Sequence, residues 1–312
     1  VVKVEFIGAV SKGLEGKELA EMGDMAEAGV VAFSDDGHYV ENAAFMRRAL
    51  EYSSMFNKMV IDHAEDITLT KNGHMHEGIV SYELGVIGRP AVAEDLAVAR
   101  DILLSEMTGG HIHIAHVSSK NTVDMVRRAK AKGLNVTCEV TSQHLSFTDE
   151  YLREYNPAFK MAPPIRSEDH RQALLEGLKD GTIDAIITDH APHAYEEKDH
   201  EFCCAPNGFS GLETSLAAVI TNAYGPDKLS IDQVVYYMST RPAELMHLDA
   251  GVLEVGKPAD ITVFSTTEKW TVDRNKFHTK GKVSPFDGMT VTGKAKLTVV
   301  DGKIVMKEGV VL

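Results

Sequence analysis

The most constraining feature of this chain is a regular alternation of short apolar runs with longer helical patterns, which continues as far as Asp189. The runs are "VKVEFIG" (2–8), "GVVAFS" (29–34), "KMVIDH" (58–63), "HIHIAH" (111–116), "LNVTCEV" (134–140) and "IDAIITD" (183–189). Short runs rich in Val, Ile and Phe have the chemistry of strands buried in a sheet. Between them lie "ELAEMGDMAEAG" (18–29), "NAAFMRRALEYSSMF" (42–56), "PAVAEDLAVARDILLSEMTGG" (90–110), "NTVDMVRRAKAKG" (121–133) and "SEDHRQALLEGLKDG" (167–181). Pro90 suits a first helical position, Ser167 an N-cap, and Gly110, Gly133 and Gly181 suit C-terminal caps. Strands that alternate with helices pair in parallel, because each helix carries the chain back across the sheet. The fold class is therefore α/β, either an open doubly wound sheet or a (β/α)8 TIM-type barrel.

The texture changes after about residue 250. "PADITVFS" (258–265) and "KLTVVDGKIVMKEG" (296–309) read as short strands, the latter turning at Asp301-Gly302, a pair that favours a type I′ hairpin. The expected organisation is a barrel-type domain over 1–250 and part of a small β domain over 251–312.

Each early strand ends in side chains able to bind a metal ion. "VVAFSDDGH" ends in Asp35, Asp36 and His38, and "MVIDHAED" in Asp62, His63, Glu65 and Asp66. "HIHIAHVSS" ends in His116, and "AIITDHAPH" in Asp189, His190 and His193. One such ending means little, since Asp-Asp-Gly is also a turn and a lone histidine is commonly structural. Four in succession, all with nitrogen or oxygen donors, point to a site for Zn²⁺ or a similar divalent ion on the face where the strand ends converge. His111 and His113 lie earlier in their strand and read as structural. Cys203 and Cys204 read as loop residues, because thiolates are out of place among carboxylate ligands.

The formal net charge of −14 argues against nucleic acid or an anionic membrane as the main partner. Three cysteines with no CxxC spacing fit a reducing, cytoplasmic setting. No apolar run approaches the ~20 residues of a membrane span.

The stretches "AFSDDG", "MVIDHAED", "HIHIAHVSS", "TDHAPH" and "GVLEVGKPADITVFS" resemble the amidohydrolase superfamily. Within it the chain is similar to bacterial dihydroorotases of the class with a C-terminal β appendage. "SKGLEGKELAEM", "VTCEVTSQHLSFT", "APPIRSEDHRQALLEGLKDGTIDAIITDHAPH" and "SPFDGMTVTGK" strengthen that choice. The resemblance implies a (β/α)8 barrel of which "VKVEFIG" is the third strand. Strands one and two would then be missing, along with an HxH pair and an arginine. On that expectation these 312 residues alone bind metal incompletely and turn over poorly.

Carried over by motif, the resemblance makes Asp36 a bridging ligand, His63 and His116 ligands of a second metal ion, and Asp189 a ligand of the first and the proton shuttle. His193 would contact substrate, and backbone near Asn207 and Gly208 would line a covering loop. Relatives carry asparagine where this chain has Ala162. The implied reaction is reversible hydrolysis of the ring amide of (S)-dihydroorotate to N-carbamoyl-L-aspartate, with two zinc ions. The implied partners are a small-molecule substrate, a second copy in a homodimer, and aspartate transcarbamoylase. Two other readings compete. A dihydropyrimidinase or allantoinase usually has lysine where Asp36 stands. A non-catalytic dihydroorotase-like subunit would have shed its ligands throughout.

Overall fold

The computed structural model describes residues 2–312. The chain divides into two compact units that do not follow sequence order. One unit comprises Glu5–Arg153 and Pro163–Asp184, and the other comprises Glu154–Ala162 and Ala185–Leu312 together with residues 2–4.

In the first unit, strands β1 (Ile7–Gly8), β2 (Ala32–Ser34) and β3 (Val60–Asp62) are followed by a separate ladder of β4 (Met75–His76) with β5 (Gly88–Arg89). Strands β6 (Ile112–Ile114) and β7 (Val136–Thr141) complete the set. The main sheet runs β1-β2-β3-β6-β7 with every pair parallel. The register places Ser34 opposite Ile61 and Asp62 opposite Ile114. Phe33, Val60, Ile112, Ile114, Val136 and Cys138 are buried, as expected for a parallel sheet covered on both faces. The strands are shorter than the apolar runs that announce them. "VKVEFIG" contributes only its last two residues, and Val2, Val4 and Phe6 before them are exposed.

Helices Ala43–Ser54, Val92–Thr108, Lys120–Ala131 and Glu168–Lys179 occupy the expected intervals. Asn42 caps the first by accepting from the Phe45 N–H at 3.0 Å. That helix buries Phe45, Met46, Ala49 and Leu50, with roughly 1.5–3 kcal/mol from each large apolar side chain. Ser167, Gly133 and Gly181 stand at the helix ends as expected, both glycines with positive φ. Two boundaries differ. The helix starts at Val92 with Ala91 as its N-cap, two residues beyond the Pro90 expected to open it, and Gly109 at φ 72° ends it in place of Gly110. Gly110 serves a different need: a Cβ there would lie 2.9 Å from Leu50 Cβ, so its absence lets strand and helix approach.

The second unit contains β8 (Ala185–Ile187), helix Ser215–Asn222 and an antiparallel sheet of β9 (Ile261–Thr271), β10 (Thr290–Val300), β11 (Lys303–Lys307) and β12 (Val310–Val311). The sheet order is β12-β11-β10-β9. Asp301 and Gly302 join β10 to β11 with φ 46° and 75°, both left-handed as a type I′ turn requires. The helix docks on β10 through Thr221, whose hydroxyl accepts from Thr292 N–H at 2.8 Å. The α/β class and the small β appendage expected from the sequence are both present.

Candidate metal centre

The end of β2 places the first candidate ligand. The Ser34 hydroxyl donates to Ile61 O across the β2–β3 pair at 2.9 Å and accepts the Asp36 N–H at 3.0 Å. This ties the backbone of Asp36 to the neighbouring strand. His63 follows β3 directly, and His116 stands two residues beyond β6. Their parallel pairing is continued by an Ala115 N–H to Asp62 O bond of 3.1 Å.

Three donor atoms meet as a result. His63 Nδ1 and His116 Nε2 lie 2.9 Å apart, and Asp36 Oδ1 is 3.3 Å from each. Both imidazoles are buried, whereas the Asp36 side chain is 50% exposed, so the group opens outward through its carboxylate. Partial burial alone would raise the Asp36 pKa. The facing imidazoles, His116 first and His63 next, outweigh it and hold the carboxyl well below the usual range.

This donor set fits a divalent cation. Two ring nitrogens that point at each other repel when both are unprotonated, and a shared cation beside a carboxylate removes the repulsion. Two imidazoles and one carboxylate are also a common ligand chemistry for zinc, leaving a position open. Asp36, His63 and His116 form such a group among the described residues.

The remaining strand-end groups have other work. Asp35 is buried and accepts the N–H groups of Val10 and Ser11 at 2.9 and 3.0 Å, pinning the loop after β1. Asp62 pairs with Arg100 at 3.2 Å. Burial and the nearby Asp101 raise its pKa. Glu65 pairs with Arg89, and Asp66 caps Ile67–Thr70. His111 and His113 both hydrogen-bond Thr137 Oγ1 at 2.7 Å, in the structural role expected of them. His144, a residue the motifs did not flag, is kept neutral by burial and by the neighbouring His116, which push its pKa down to about 4. Its Nε2 faces Pro163 O at 3.2 Å and its Nδ1 faces the Thr141 hydroxyl at 2.9 Å.

Asp189, His190 and His193 belong to the second unit. Asp189 has φ 42°, an uncommon conformation that aspartate tolerates better than most residues. His190 Nδ1 accepts from the N–H groups of Gly211 and Leu212 at 3.1 and 3.3 Å. His193 Nε2 donates to Asn207 O at 2.7 Å. Gly208 sits at φ 105° with the site of a Cβ only 2.7 Å from Ala191 Cβ, so only glycine lets this loop lie against "TDHAPH". Two buried lysines hold the loop's approach. Lys160 donates to Cys203 O and Ala205 O at 3.0 and 2.7 Å, and Lys198 donates to Pro206 O at 2.8 Å. Gly208 N–H returns a bond to Lys160 O at 2.9 Å. Ala162 is half-buried in the same unit. Cys203 and Cys204 are exposed, as free thiols.

The sequence did not single out Glu94 or Arg166, which are buried in the first unit. Acidic residues in a first helical turn are commonplace, and only the fold shows what this one holds.

The amidohydrolase family description matches residues 8–305. The dihydroorotase of Syntrophus aciditrophicus is 48% identical over 307 residues, covering 98% of this chain and 72% of the relative. The dihydroorotase of Acetivibrio thermocellus is 47% identical over 311 residues, covering 100% and 73%. Among solved structures, the L-hydantoinase (dihydropyrimidinase) from Arthrobacter aurescens superimposes with a TM-score of 0.87 at 29% identity, covering 99% of this chain and 71% of that one. The dihydropyrimidinase from Brevibacillus agri, at 23% identity and TM-score 0.84, shares the fold. With Asp36, His63 and His116 converging at successive strand ends and similarity to dihydroorotases along nearly all of these 312 residues, the chain belongs to the amidohydrolase family, in its dihydroorotase branch.

Proposed function

We propose that this protein is a dihydroorotase, catalysing reversible hydrolysis of the ring amide of (S)-dihydroorotate to N-carbamoyl-L-aspartate. The observation that carries the reading is the Asp36–His63–His116 group in a chain 48% identical to dihydroorotases along nearly its whole length. Aspartate rather than lysine at position 36 favours this substrate over the hydantoinase type.

Zinc is the proposed metal, with Asp36, His63, His116 and Asp189 among its ligands. When bound, a divalent ion supplies Lewis acidity, which makes water acidic enough to attack near neutral pH and withdraws charge from a carbonyl. Water adds across the C–N bond, its oxygen going to the amide carbon and its proton to the ring nitrogen. Asp189 accepts the proton as base and delivers it to the leaving nitrogen as acid. His193 contacts the substrate, and the loop at Asn207 and Gly208 covers it. Ala162 leaves one familial polar contact to be made by other groups. A homodimer, association with aspartate transcarbamoylase and a cytoplasmic location complete the proposal.

The test is turnover of N-carbamoyl-L-aspartate and dihydroorotate by the zinc-loaded protein, with hydantoin and dihydrouracil as competitors. Asp189→Asn should lower kcat per bound zinc by about 10²–10⁴-fold, beyond any loss of zinc itself. Preference for dihydrouracil would overturn the substrate. Zinc binding without turnover of any of these compounds would favour a non-catalytic subunit.

A further inference from the structure

We infer that Glu94 is a positioning residue for the ligand His116, acting through the segment Ser118–Ser119. This inference rests on the metal-centre reading above.

Glu94 lies in the first turn of Val92–Thr108 and is 4% exposed. Its Oε1 accepts the Ser118 and Ser119 N–H groups at 3.0 and 2.9 Å. Its Oε2 accepts from the Ser118 hydroxyl and from Arg166 Nη2, the latter at 3.3 Å. Arg166, itself buried, also donates from Nε to Ser118 Oγ at 2.8 Å. Burial alone would raise the Glu94 pKa. The Arg166 charge and the serine donors reverse that and keep the group ionised.

The segment so held begins two residues after His116, and His116 needs holding. Its φ is 32°, in the left-handed region that a residue with a side chain enters at a cost. On one side Ala115 N–H is tied to Asp62 O at 3.1 Å. On the other, Val117 N–H is tied to Glu139 O at 2.8 Å, and the next two N–H groups go to Glu94. Removing the carboxylate leaves the Val117 N–H bond as the tie named on that side, and the loosened imidazole can then shift away from His63 and Asp36.

The competing explanation is that Glu94 merely anchors helix Lys120–Ala131, whose N-cap is Ser119. Asp95 provides the control. It is buried on the same helix and holds the same first turn through Asn121 Nδ2 at 2.9 Å and Thr122 Oγ1 at 3.2 Å. None of its hydrogen bonds goes to residues 116–119.

The experiment measures the zinc dissociation constant by chelator competition, and the thermal midpoint of metal-free protein, for wild type, Glu94→Gln and Asp95→Asn. Glu94→Gln should weaken zinc by about 10–100-fold, as loss of a partner that orients a ligand does. Asp95→Asn should lower the thermal midpoint comparably while leaving zinc affinity within about twofold. Should Glu94→Gln fail to fold, Ser118→Ala removes one hook, leaves the carboxylate paired with Arg166, and should weaken zinc in the same direction by a smaller factor. Unchanged zinc affinity in the folded Glu94 or Ser118 variant, or equal losses in the Glu94 and Asp95 variants, overturns the inference. Wild-type protein that binds no zinc overturns the metal-centre reading instead, and the inference with it.

Discussion

Two regions carry the residues proposed to act, and they are held in place by different means. Asp36, His63 and His116 stand at the ends of neighbouring parallel strands, where the backbone ladder sets their spacing. A one-residue slip would turn every side chain to the other face. The "TDHAPH" segment and the 207–209 loop have no such ladder. Their shape depends on Gly208 at φ 105°, on His193 reaching Asn207 O, and on lysine side chains that bond backbone carbonyls. The strand-end group should therefore fail when a ligand, or a residue that orients one, is lost. The loop should keep its chemistry and fail when its backbone is disturbed.

The largest expected effect falls on the first region. Asp36→Ala should weaken zinc by more than the ~100-fold typical of an outer partner, yet leave the metal-free protein's unfolding midpoint nearly unchanged, because the side chain is half exposed. A large loss of metal-free stability would break the contrast by showing that Asp36 also holds the fold. In the second region, Gly208→Ala meets both a left-handed φ and Ala191. At about 1–2 kcal/mol for the conformation alone, steady-state kinetics should show KM raised about tenfold, with zinc content intact. A loss of zinc in that variant would show that loop and metal are not separable.

Smaller effects separate the two units by pH. Burial and the Arg166 charge lower the His76 pKa to about 3, and Arg166 Nη1 donates to its Nδ1 at 3.2 Å. The unfolded chain takes up this proton as pH falls through 6.5 while the folded chain refuses it. His76 therefore favours folding above pH 6.5, and that contribution is lost progressively towards pH 3. Denaturation midpoints between pH 7 and 4.5 should fall less steeply in His76→Gln than in wild type. In the second unit, burial and the nearby Lys160 lower the Lys198 pKa to about 8. Between pH 8 and 10.5 the unfolded chain binds more protons at this site, so stability should rise with pH across that window. Lys198→Met should abolish this rise; a parallel rise in the variant would assign it elsewhere.

Much of this was legible in the sequence, for physical reasons that also mark the limit. An apolar run followed by Asp or His is a strand end, and a barrel gathers strand ends, so Asp36, His63 and His116 could be picked out before any coordinates. Asp35, Asp62, Glu65 and Asp66 sit in the same pattern. Nothing local separates the first three from the candidate ligands, because their partners Ser11, Arg100 and Arg89 arrive from elsewhere in the chain, whereas Asp66 caps the helix directly after it. Glu94 was hidden for the same reason: its donors come from 24 and 25 residues away. Run length overstated the strands, since an apolar residue such as Phe6 can lead into a strand while remaining exposed.

The backbone of His116 separates what folding would choose from what the chain has kept. At φ 32° a glycine or asparagine would be at ease. A chain selected for stability alone would be expected to drift to one of these. Keeping histidine there sacrifices some thermal margin for an imidazole that the fold does not need, the trade-off between stability and activity written into a single torsion angle. In a library screened first for solubility and then for zinc, position 116 should rank its residues in opposite orders.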